Sequence, residues 1–84
     1  MSTAAARQEV HRKVRAYLAA HEAAAKACDA RSSLPPGSTR ARVTSANARW
    51  ASAAEERDRT FRELPADLGD ALFRALTRAE QDAP

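Results

Sequence analysis

The residues with the most chemistry to offer are His21 and Cys28, seven apart with Asp29 beside the thiol. That spacing puts the imidazole and the sulfur on one face of a helix. A zinc ion there would still need donors from a second element, because closed zinc sites take four nitrogen or sulfur ligands. The stretch that pairs with them offers Val43, Ala46, Asn47 and Trp50, of which Asn47 alone can ligate, and poorly. No metal is expected. As a nucleophile, Cys28 would need a base within hydrogen-bond reach. His21 is two turns away, roughly 10 Å along a helix axis.

The other candidates read the same way. His11 stands among Arg12, Lys13 and Arg15, as part of a solvated polar face. Glu55–Glu56 and Asp67–Asp70 could pair for acid–base work, but arginines flank them and ion pairing or helix capping accounts for them. Gly37 and Gly69 are the only glycines, so no glycine-rich phosphate loop exists. No catalytic residue, cofactor or small-molecule substrate is expected, and the chain reads as non-enzymatic.

The elements that carry these residues are helical. About a quarter of the 84 residues are alanine, the best helix former, and arginine far outnumbers lysine, as in GC-rich bacterial coding sequence. Spacings of three and four among Val10, Val14, Tyr17, Leu18, His21, Ala24, Ala25 and Cys28 predict a helix over 3–30, capped by Ser2 or Thr3. Pro35, Pro36 and Gly37 break it in a turn over 31–39. Ser38 or Thr39 then caps a helix over 40–64, with the stripe Val43, Ala46, Asn47, Trp50, Ala53, Ala54, Arg57, Phe61 and Leu64. Pro65 ends that helix and opens a third over 66–80, carrying Leu68, Leu72, Phe73 and Leu76. Gly69 weakens this third helix by up to about 1 kcal/mol relative to alanine. The expected fold is all-α and single-domain: a long antiparallel helical hairpin plus a short third C-terminal helix, a three-helix bundle able to dimerise.

Antiparallel pairing across the turn sets Cys28 against Val43, His21 against Trp50, Tyr17 against Ala54, Val14 against Arg57 and Val10 against Phe61. It also brings the basic stretch Arg7–Arg15 alongside the acidic stretch Glu55–Glu63, where charge pairs would help choose register. Lys26, Arg31, Arg40, Arg42 and Arg49 are left with few nearby acids, making the hairpin tip basic. The net charge is +3.

The run Leu64-Pro-Ala-Asp-Leu-Gly-Asp-Ala-Leu-Phe-Arg-Ala-Leu76 resembles the helix that opens the last domain of bacterial sigma factors. The likeness covers these residues alone, no recognition helix follows them, and no function is carried over from it.

Large apolar side chains are few for a chain of this length, so self-association or a protein partner is expected to complete the core. The residues expected at that interface are Val14, Leu18, Trp50, Phe61, Leu72, Phe73 and Leu76. Trp50 reads either as core or as an interface anchor. The function expected is a helical protein–protein interaction module, an adaptor, regulatory or accessory subunit that self-associates as a homo-oligomer. The alternative is a weak, sequence-nonspecific nucleic-acid binder using Lys26, Arg31, Arg40, Arg42 and Arg49. A lone cysteine and the lack of a long apolar run point to the cytoplasm and away from membranes.

Overall fold

A computed structural model describes residues 3–82 as three helices: α1 Thr3–Ser32, α2 Arg40–Arg62 and α3 Ala66–Asp82. Among the described residues there is no strand, and no helix is long and apolar enough to cross a membrane. The elements match the expected all-α hairpin with a short third helix, and their ends differ by two residues.

Each end has a local cause. Pro35 restricts only Leu34 before it, so α1 runs on and Ser33 N–H still donates to Asp29 O at 2.9 Å. Ser38 closes the turn, its N–H and hydroxyl both donating to Pro35 O at 3.2 and 2.6 Å. Gly37, with φ of 83°, sits at the turn position that needs a left-handed residue. Thr39 is the cap of α2, its Oγ1 accepting from Arg42 N–H at 3.2 Å. Thr3 is already helical, so it is not the α1 cap, and Ser2 lies outside the described residues. At the far end of α2, Leu64 N–H donates to Phe61 O in a tightened last turn. Pro65 then stands just before α3, its carbonyl accepting from Gly69 N–H at 2.8 Å.

α1 and α2 lie close together because small residues line their contact. Tyr17, Ala20 and Ala24 are buried on α1, and Thr60 and Leu64 are buried at the end of α2 and just beyond it. Thr60, 3% exposed, satisfies its hydroxyl within its own helix by donating to Glu56 O and Arg57 O, both at 2.9 Å.

α3 folds back on its own hairpin. Leu68 shares a groove with Val10 and Val14, and Glu80 reaches His21. α3 therefore runs parallel to α1 and stops level with His21, leaving the turn end of the hairpin only two helices thick. Gly69 is where α3 meets α2: a Cβ built there would sit 3.3 Å from Phe61 Cζ. The glycine that weakens the helix locally is what allows the close approach.

The expected register needs correction. Phe61 packs on Tyr17, not Val10, with ring centroids 5.5 Å apart. Trp50 lies under Arg31, not His21, with the guanidinium carbon 4.4 Å from the ring centroid. Side chains tilt toward the N-terminus of their own helix. In an antiparallel pair the two tilts oppose, which accounts for about two residues of this offset; the remainder lies in the hairpin register itself. The charge ladder is also largely local: Arg12–Glu9, Lys26–Glu22, Arg57–Asp58, Arg59–Glu56 and Arg59–Glu63 are pairs within one helix. Exposed pairs three or four residues apart form with little loss of side-chain freedom, whereas a pair between helices needs both long side chains held across a gap. Of the expected cross-hairpin field, what remains is the pull of Glu63 on Arg12.

The molecule is long for its size, 57 × 29 × 16 Å, with a radius of gyration of 16.1 Å. A compact chain of this length would have a radius of about 12 Å.

Candidate functional site

Three surfaces concentrate the side chains able to recognise something. The first is a cleft where all three helices converge. Tyr17 is its floor, 4% exposed and wedged between Phe61 and His21, the latter with ring centroids 5.9 Å away. Arg57, Asp58, Phe73, Leu76, Thr77 and Glu80 complete the lining. Burial pushes the Tyr17 phenol pKa up; nearby Arg57 opposes this, and Asp58 and Glu80 reinforce it. His21 Nε2 stands 3.8 Å from Glu80 Oε1, while its Nδ1 is buried without a hydrogen-bond partner. Thr77 Oγ1 donates to Phe73 O at 2.8 Å. Every hydroxyl here is either spent within a helix or held as a neutral phenol, so the arrangement presents no activated nucleophile.

The second surface is the flank of α3 beside that cleft. Phe73 is 61% exposed, the most exposed large apolar side chain among the described residues, and Leu72 and Leu76 beside it are half-buried. Leu18, on α1, is 39% exposed. Of the residues expected at an interface, Phe61, Phe73 and Leu76 line one cleft. Val14 lies with Val10 and Leu68 in a separate groove. Trp50 stands apart from all of them, half-buried beneath Arg31 and beyond the reach of α3.

Comparison with known proteins matches no family model, no curated protein and no solved structure.

The third surface is the hairpin tip. Lys26, Arg42 and Arg49 line one groove with Ala27, Ala30, Leu34, Ala41, Ser45 and Ala46, and no carboxylate is among the lining residues. Arg40 is exposed nearby, at the start of α2. Arg31 is not in the groove, since its guanidinium is turned onto Trp50. Lys26 also reaches Glu22 at 3.1 Å, with both side chains largely exposed.

No group of three His, Cys, Asp or Glu among the described residues is placed to hold a metal ion. His21 faces Tyr17 and Glu80, and the free, half-buried Cys28 has no carboxylate or imidazole bonded to it. Glu56, one of the paired carboxylates, is tied to Arg59, whose hydrogen bond holds its pKa down. Asp67 sits in the first turn of α3, where its charge suits the helix dipole.

The sequence reading missed two residues of the convergence point. Glu80, His21's partner, was legible only through the path of α3. Gly69, read as a weakness, carried its signal in the neighbouring bulk of Phe61.

Proposed function

We propose that the chain is a helical self-association module whose working form is a homodimer joined through the Phe73 flank of α3. Its surface carries this reading. The folded chain exposes 6551 Å², against about 4,900 Å² expected for a compact monomer of 9.1 kDa. The surplus, on the order of 1,600 Å², lies within the roughly 1,000–2,500 Å² that each partner of an obligate homodimer buries. The interior is correspondingly thin: no side chain among the described residues is less than 2% exposed, and the buried apolar set is Tyr17, Ala20, Ala24 and Leu64.

A second copy is the occupant that the rim chemistry fits. Arg57, Asp58 and Glu80 line the cleft with Phe73, and Asp70 and Arg74 lie three residues before it and one after it on exposed positions of α3. A patch with both signs can pair with itself across a two-fold axis. An adaptor or accessory subunit built this way would present its two hairpin tips free.

Phe73→Asp tests the reading. The side chain is already mostly in water, so the monomer keeps its helicity. Pairing should weaken by at least a hundredfold, because a buried unpaired carboxylate costs about 3 kcal/mol or more. Unchanged self-association in the variant would refute this interface.

A further inference from the structure

Beyond self-association, we infer that the groove at the hairpin tip, bounded by Lys26, Arg42 and Arg49, is a binding site for the phosphate backbone of duplex nucleic acid. The groove holds three cations on two walls, Lys26 from α1 and Arg42 and Arg49 from α2, with no carboxylate among the residues that line it. Of the three, Lys26 also reaches Glu22 at 3.1 Å, as Arg12, Arg57 and Arg59 reach acids on their own helix. Arg42 and Arg49 have no such partner, and Arg49 also borders a neighbouring groove that holds Glu55, Glu56 and Asp58. The first turn of α2 contains no acid, and its positive helix end points to the same side as Arg40 and Arg42.

The spacing selects the ligand. Arg42 and Arg49 stand two turns apart, roughly 10 Å along the axis, further than one phosphate group spans. A ligand that engages both must repeat its negative charge. Ser45 lies between them on the groove wall and adds a hydroxyl donor. Arginine forks also match phosphate oxygens two at a time. No aromatic residue lines the groove, so there is no platform on which unpaired bases could stack. That favours a duplex, held by its backbone without reading sequence. A membrane surface is disfavoured because the groove's apolar part is Leu34 and alanines, too little to enter a lipid interface. Arg31 is excluded from the contact because its guanidinium lies on Trp50.

The test is a titration of labelled random-sequence duplex DNA with the full chain at several salt concentrations. Three phosphates neutralised per chain predict a slope of log K against log salt near −2.7, about a fortyfold loss of affinity per chain between 50 and 200 mM salt. Arg42→Gln with Arg49→Gln should leave a slope near −0.9 and a loss of only about three- to fourfold over the same range. Arg7→Gln with Arg62→Gln, exposed at the end of the hairpin remote from the tip, should leave the wild-type slope. Both glutamine pairs keep a good helix former at exposed positions, and circular dichroism checks the fold. Failure of the wild-type chain to bind duplex at 50 mM salt overturns the proposal, as does an undiminished slope in the Arg42/Arg49 variant. Binding to phosphatidylserine vesicles but not to duplex overturns it too. Solution mass recorded on the same samples keeps the outcome separate from self-association, which the glutamine pair at the tip leaves intact.

Discussion

Tyr17 is the side chain on which the three helices agree. It is nearly excluded from water, packs on Phe61 of α2 and His21 of α1, and faces Glu80 from α3. Its phenol pKa is raised above the ordinary 10.0, with burial as the main cause. The fold therefore prefers the neutral phenol. That preference is intact below pH 10 and is lost as pH rises through the folded-state value. Tyr17→Phe should leave neutral-pH stability nearly unchanged, since no hydrogen bond contributes to the phenol's environment, and should flatten the alkaline fall in stability. A variant that loses stability as steeply as the wild type above pH 10 in urea unfolding would contradict this. The sequence revealed Tyr17 and His21 as neighbours four apart on an apolar stripe. It could not reveal Glu80, because a contact between the first and last helices depends on where Pro65 sends the chain.

At the level of elements, the helices were legible from alanine content, three-and-four spacing and the Pro35-Pro36-Gly37 break, all of which act within a few residues. Their pairing was less so. Matched backbone heights gave one register, whereas Phe61 on Tyr17 and Trp50 under Arg31 show another, offset by more than the roughly two residues that opposed side-chain tilt supplies. The basic tip illustrates both outcomes: Lys26, Arg42 and Arg49 share a groove as their positions suggested, while the aromatic face of Trp50 drew Arg31 away. α3 is held to α2 where Gly69 lets the backbone approach the Phe61 ring. Gly69→Val places branched carbons where even one methyl is tight, and should cost about 1–3 kcal/mol by overpacking. The loss should come with release of α3, seen as faster amide exchange over Leu68–Glu80 while the α1–α2 hairpin stays protected. Uniform loss of protection in all three helices would mean that α3 is not a separable layer.

For the whole molecule the deciding quantity is surface. A molecule 57 Å long, with a short third helix on one half of its hairpin, leaves apolar side chains uncovered, and Phe73 on α3 is the clearest of them. Charges of both signs around it suit a second copy, whereas the carboxylate-free groove at the other end suits a polyanion. A dimer through α3 would keep both grooves open, so the two activities are compatible, and each can fail without the other. If folding and pairing are linked, the thermal midpoint must rise with protein concentration.

The most direct test is the solution mass of the unaltered chain by sedimentation equilibrium, from low micromolar to hundreds of micromolar. The self-association reading predicts the mass of two chains across the upper part of that range, falling toward one chain only on dilution. A single-chain mass at every concentration, with full helicity and an unchanging thermal midpoint, would contradict it and leave the Phe73 flank as surface the monomer simply tolerates.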